Sequence, residues 1–343
     1  MIKHDKILVI QTAFLGDVIL ALPMVQTIKN HLPDSKIDFL CVPGNVSVLS
    51  NHTSIRNVIP YDKKGGDKID KFIEALSQIR EFEYDVVISP HRSIRSALLT
   101  YYSEAKTRIG FERNSLSFLL THKVPYDYHA HEIHRNLKLA KAVPGINFNE
   151  EKVSLKPTLY PADEDNNIVN HLLNKSNLIS FAPCSRWFTK QLSIMKSKEI
   201  AVKAVNNGYN IALIGGEEDI DYCSRLEKEI SDFAIVNLCG KLTPLQSYLV
   251  MNKSKAVITV DSAAQHLCAA AGTPILLVYG STDNSFGFYP LIQKHKIMEI
   301  NGLPCRPCTD HGRLNCPEGH FKCIEDLNPE QIINELNKLI TSE

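Results

Sequence analysis

The 343-residue chain has no net charge, with 38 Lys and Arg against 38 Asp and Glu. A balanced surface gives no electrostatic case for DNA or RNA as the main partner. No apolar run reaches the length of a membrane span. The most apolar stretch near the start, ILVIQTAFLGDVILAL from position 7, is broken by Asp17 and lacks a small-residue cleavage site. It therefore reads as strand, glycine turn and helix rather than as a secretory signal. No GxGxxG follows a strand, so a dinucleotide fingerprint is missing, and HEIH at 131–134 lacks the HExxH spacing of zinc hydrolases. His129, His131 and His134 read instead as one side of a partly exposed helix.

What is present is strand–helix alternation, twice over. In the first half, strands are expected at 7–11, 37–42 and 85–89, and helices at 17–30, 69–81, 93–103 and 131–143. A polar, turn-rich stretch at about 150–165 reads as a domain boundary. The second half has strands at 178–182, 211–214, 234–238, 256–260 and 275–279, with helices at 197–207, 219–230, 244–252 and 262–271. The expected fold is α/β, with two Rossmann-like domains facing a cleft. Residues 1–160 form the first and 161–325 the second. A final helix within 326–343 is expected to pack back on the first. In such sheets, ligands bind beyond the carboxyl ends of the strands.

Several loops at those ends carry chemistry. In TAFLGD (12–17), Gly16 allows a tight turn, and Asp17 can cap a helix or take a proton from a hydroxyl. In FAPCSRWFTK (181–190), Lys190 can neutralise a phosphate, and Trp187, the only tryptophan, can shape a pocket. LIGGEED (213–219) offers Glu217 or Glu218 to a ribose diol, or to a helix N-terminus as dipole compensation. AVITVDSAAQH (256–266) is the strongest signal. Asp261 ends a strand, Ser262 can cap the next helix, and Ala263 lets a phosphate approach its N-terminus. His266, one turn on, can hydrogen-bond a ligand or sit in the core. Asp283 reads as a cap or as a ligand. Arg92, Arg95, Arg108 and Arg113 form a basic set; of these Arg92, Arg95 and Arg113 are the candidates for a phosphorylated acceptor.

Nine cysteines are present. Cys41, Cys184, Cys223, Cys239 and Cys268 lie in apolar segments and read as small buried side chains. Cys305, Cys308, Cys316 and Cys323 open with CxxC. They are candidates for a structural zinc site, for packed or free thiols, or for a redox pair.

Taken in order, LGD at 15–17, Pro183 to Lys190, GG at 215–216, NLCGKLTPL at 237–245, DSAAQH at 261–266, AAAGTP at 269–274 and YGSTD at 279–283 resemble the heptosyltransferase family of lipopolysaccharide core assembly. The resemblance implies the glycosyltransferase-B fold. It also implies inverting transfer of L-glycero-D-manno-heptose from ADP-heptose to the inner core, with no catalytic metal or cofactor. It gives Asp17 as general base, Lys190 at the donor diphosphate, and Glu217 or Glu218 at the ribose. Asp261, Ser262, Ala263 and His266 would line the donor site. The acceptor would be lipid A-core lipopolysaccharide. The enzyme would then be cytoplasmic, with peripheral contact at the inner membrane. The chain departs from the family pattern at DSAAQH, where Asp-Thr-Gly-Pro-x-His is usual. It also has Arg186 in place of Ser, and Gln191-Leu192-Ser193 in place of Arg-Trp-Pro. A transferase using another nucleotide sugar, and a non-catalytic nucleotide-sugar-binding protein, are the rival readings.

Overall fold

The computed structural model describes residues 5–63, 65–173, 175–230 and 234–341. They form two compact units, Met1–Tyr160 and Pro161–Glu343.

The first unit contains β1 (Lys6–Ile10), α1 (Leu15–His31), β2 (Lys36–Cys41), α2 (Val46–Leu49), β3 (Asn57–Pro60), α3 (Lys68–Glu81), β4 (Val86–Ser89), α4 (Ile94–Tyr102), β5 (Thr107–Phe111), β6 (His122–Val124) and α5 (Glu132–Lys141). Its sheet has the order β3-β2-β1-β4-β5-β6 and is parallel throughout. The central strands are covered on both faces, which is why ILVI and VVI are unbroken apolar runs. β3 and β6 close the edges; both are short, β3 with Asn57 and Pro60 exposed and β6 with His122 and Lys123 exposed, so their apolar signal is weak.

α1 begins two residues earlier than the sequence suggests. Gly16 lies inside its first turn and does not make a tight loop. The helix also runs through Pro23, with the Thr27 hydroxyl donating to the Pro23 carbonyl at 2.7 Å. α1 and α5 lie side by side. Asn136 Nδ2 donates to Leu20 O at 3.1 Å, and at their far ends His31 and Lys141 both reach the Phe148 ring. The two helices therefore run in the same direction, with their first turns together.

The second unit contains α6 (Asp163–Leu172), β7 (Leu178–Ala182), α7 (Ile194–Asn206), β8 (Asn210–Leu213), α8 (Ile220–Ile230), β9 (Ile235–Asn237), α9 (Pro244–Lys253), β10 (Ala256–Val260), α10 (Ala263–Ala271), β11 (Ile275–Val278), β12 (His295–Met298), α11 (Lys322–Glu325) and α12 (Pro329–Thr341). Its sheet order, β12-β11-β10-β7-β8-β9, repeats the connectivity of the first. Ser193 caps α7 and Thr243 caps α9, each by accepting a backbone N–H. Gly272 ends α10 in the left-handed region, at φ 75°.

α12 buries Ile332, Ile333, Leu336 and Leu339. That stripe joins the second unit's own core, beside Ile200, Ala204 and Leu276.

Candidate functional site

A parallel sheet places every β-to-α loop at one edge, and the strand order reverses between β1 and β4 and again between β7 and β10. Ligands of open α/β sheets bind at such reversals. The candidate residues fall at these two points.

In the first unit, Asp17 follows β1, and its Oδ2 accepts from Phe14 N at 3.1 Å. It therefore does cap α1, as a partly buried carboxylate. His91, Arg92 and Arg95 follow β4. The His91 ring is held by Thr12 Oγ1 at 2.8 Å, and burial, then Lys63 and Arg92, push its pKa down to about 4. Arg95 donates to Lys63 O at 2.9 Å. Arg92 and Arg113 are exposed, each with its guanidinium 4.0 Å above a tyrosine ring, Tyr126 and Tyr128 respectively. Stacking leaves the guanidinium edges open to anions. Arg108, by contrast, spends its donors on Ala105 O and Leu119 O.

Sequence reasoning missed Glu132. It opens α5, next to the first turn of α1, and is almost fully buried with Arg135, whose Nη1 lies 2.8 Å from Glu132 Oε2. Burial, only partly offset by the Arg135 hydrogen bond and reinforced by the Asp17 charge, pushes Glu132 up to about 7. Arg135 also donates to Asp127 O, Tyr128 O and the Tyr126 hydroxyl, so it holds the segment carrying the stacked tyrosines. An acid in a first helical turn looks like ordinary dipole compensation in sequence, which is why Glu132 carries no signal.

In the second unit, Lys190 follows β7 and Asp261 follows β10. Lys190 Nζ lies 2.7 Å from Asp261 Oδ2, and both side chains are nearly buried, at 12% and 11% exposure. The same Asp261 oxygen accepts from the Thr282 hydroxyl at 2.7 Å, and Oδ1 accepts from Gln265 Nε2 at 2.9 Å. Asp261 is thus fully occupied with orienting other groups. Ser262 is the N-cap of α10 in backbone conformation only. The expected side-chain cap is not made, although its extended backbone, at φ −149°, ψ 179°, is one that a capping residue can adopt. The first N–H groups of α10 therefore have no side-chain partner from Ser262, and Ala263 beside them is half-buried and small. That is the arrangement an anion needs. His266 is buried, and burial pushes its pKa down to about 4, so at neutral pH it is an uncharged imidazole.

Glu217 and Glu218 stand exposed on a short turn after β8. The cap there is Asp219, which accepts from Gly216 N at 2.9 Å. Asp283 caps its own turn through Ser285 N. Below the glycine pair, Cys239 Sγ donates to Gly216 O at 3.3 Å, and Cys184, Cys223 and Cys239 adjoin one another in the core.

The Cys305–Cys323 segment packs against the Lys190 turn. Thr189 N donates to Arg313 O at 3.0 Å, and the Trp187 and His311 rings lie 5.3 Å apart. Cys308 Sγ donates to Cys305 O at 2.9 Å, and Cys305 Sγ is 3.9 Å from His320 Nε2. Among the described residues, no three His, Cys, Asp or Glu side chains are grouped so as to hold a metal ion. The zinc reading of the four thiols draws no support from this arrangement. All nine cysteines are free thiols.

Two sheets of one connectivity, each with charged side chains at its reversal point, define the glycosyltransferase-B architecture. The chain belongs to glycosyltransferase family 9 (heptosyltransferase), whose family model matches residues 73–317. It is 22% identical to lipopolysaccharide heptosyltransferase 2 of Salmonella typhimurium over 98% of this chain and 99% of that one. Its fold matches that of the Escherichia coli ADP-heptose lps heptosyltransferase II with a TM-score of 0.80 at 22% identity, covering 98% of each chain. The family 9 glycosyl transferase of Veillonella parvula superposes with a TM-score of 0.86 at 20% identity, covering 99% of this chain and 98% of that one.

Proposed function

We propose that this glycosyltransferase moves L-glycero-D-manno-heptose from ADP-heptose to a hydroxyl of the lipopolysaccharide inner core, with inversion and without a catalytic metal. The observation that carries the reading is the near-buried Lys190–Asp261 pair beside the open N-terminus of α10. Asp261 balances the charge of the pair but fixes the Lys190 ammonium beside the partial positive charge of that N-terminus, where a diphosphate would leave.

In this reading Asp17 accepts the proton of the acceptor hydroxyl as its oxygen bonds to the anomeric carbon. The bond from that carbon to the diphosphate breaks, and the electron pair leaves with ADP. Lys190 and the N–H groups opening α10 stabilise the developing charge, a task that a metal performs in other transferases. Neutral His266 offers a hydrogen bond without adding charge. Glu217 or Glu218 accepts from the ribose diol. Arg92, Arg95 and Arg113 meet the anionic groups of a lipid A-core acceptor. The reaction belongs to the cytoplasm, at the inner face of the inner membrane. No helix among the described residues is long and apolar enough to cross a membrane, so contact with lipid would be peripheral.

Purified protein, treated with a chelator, is assayed with ADP-heptose and with UDP- and GDP-linked sugars against truncated core acceptors. A product one heptose heavier, formed from the ADP donor alone, is the expected result. Transfer from a UDP- or GDP-sugar instead would reassign the donor. Binding without any transfer would make the protein a nucleotide-sugar-binding module.

A further inference from the structure

The Cys-rich segment has a place in the fold beyond its thiols. Three consecutive carbonyls, of Gly280, Ser281 and Thr282, follow β11. All three are met by this segment. Arg306 Nε donates to Gly280 O at 2.7 Å, Arg306 Nη2 donates to Thr282 O at 2.7 Å, and Cys308 N donates to Ser281 O at 2.8 Å. The Arg306 side chain is only 8% exposed and is completed by Ile300 O at 3.2 Å and by the Glu299 carboxylate. Buried carbonyls need donors, and a guanidinium is the one side chain whose planar fork can bracket two of them.

The turn fixed in this way leads to Lys190 by two routes. The Ser281 hydroxyl donates to Thr189 Oγ1 at 2.9 Å and Ser281 N to Thr189 O at 3.2 Å, which holds the backbone just before Lys190. The Thr282 hydroxyl donates to the same Asp261 oxygen that pairs with the Lys190 ammonium. Gly280 permits this approach, since a Cβ there would lie 2.6 Å from Thr189 O.

We propose that Arg306 is a positioning residue of the donor site, fixing the turn after β11 so that Thr189 and Asp261 present Lys190 to the donor diphosphate. This rests on the reading of Lys190 as a diphosphate ligand. Arg306 has its own donors engaged with carbonyls and Glu299, so it acts through Lys190 without touching the donor.

The test is a double-mutant cycle read as ADP affinity by calorimetry, with the fluorescence of Trp187, the single tryptophan, reporting on the same turn. Arg306→Gln weakens ADP binding about tenfold and shifts the Trp187 emission, while the midpoint of thermal unfolding confirms that the protein is folded. Arg306→Lys gives nearly the same loss, because an ammonium is a point charge and cannot bracket two carbonyls. In a Lys190→Gln background, Arg306→Gln adds less than about twofold, since the group it positions is gone. Equal losses in both backgrounds, or unchanged ADP affinity in a folded Arg306→Gln protein, overturn the proposal and leave Arg306 a purely structural residue. If Lys190→Gln alone leaves ADP affinity unchanged, the reading of Lys190 fails, and the proposal with it. Should Arg306→Gln not fold, Arg306→Lys and Thr282→Val carry the same cycle, the second removing only the hydroxyl that meets Asp261.

Discussion

Asp17, Glu132 and Lys190 differ in how their surroundings commit them. Asp17 is partly buried and caps its helix with one oxygen. Asp17→Asn keeps the shape and removes the base. Its kcat should fall about 10²- to 10⁴-fold while ADP affinity stays within about twofold, measured by transfer assay and calorimetry. Near-normal turnover would remove Asp17 from the proposed chemistry. Glu132 makes a prediction about stability. Its pKa of about 7 in the folded chain lies above its ordinary 4.5. Between those values the folded chain holds a proton that the unfolded chain has lost. The stability this group contributes is therefore complete below about pH 4.5 and is lost as pH rises through about 7. Glu132→Gln should flatten the fall in unfolding free energy over that window, followed by urea denaturation at several pH values. An unchanged slope would show that Glu132 is charged in the folded protein throughout.

At the scale of elements, the loops after the strands carry the proposed chemistry and the helices make them rigid. α12 illustrates the second task. Leu336 is fully buried against the sheet and α7. Leu336→Ala should lower the unfolding free energy by roughly 2–5 kcal/mol with little change in the denaturant slope. A loss under 1 kcal/mol would mean that the helix is held by its polar contacts, such as Tyr209 to Asn337. The central strands and long helices were legible in the sequence because burial on both faces, or on one stripe, leaves an apolar pattern. β3, β6 and β12 were not, since edge strands such as HKV and HKIM are half-exposed and carry charge. β5 hid behind Arg108, whose cost is met by two carbonyls distant in sequence or out of pattern. α6 is short, begins with three acids just where the turn-rich boundary ends, and buries only Val169, so it carries little apolar signal.

Over the whole molecule, the residues that follow strands, namely Asp17, Lys190 and Asp261, could be read in order because a parallel sheet delivers all such loops to one edge. Glu132, Thr282 and Arg306 could not. Thr282 and Arg306 act through partners far along the chain, which no spacing marks, and Glu132, paired with Arg135 three residues on, looks in sequence like ordinary dipole compensation. The cysteines offer a global check. Cys305, Cys308 and Cys316 are half-buried, and the other six are buried. A colorimetric thiol reagent should titrate three groups on the native protein and nine in denaturant. Fewer than three fast thiols in the presence of zinc, restored by a chelator, would revive a metal at that segment.

The repeated strand order has a consequence for how such an enzyme can diversify. Each unit closes its own core, and each carries its candidate site on loops that its sheet merely supports. On the proposed assignment, substitutions around Arg92, Arg113 and Tyr126 can therefore change what is glycosylated without disturbing the residues around Lys190 that would handle what is donated. Selection, or a designer, can edit the two halves of the substrate list separately, and a new acceptor need not begin with a new fold.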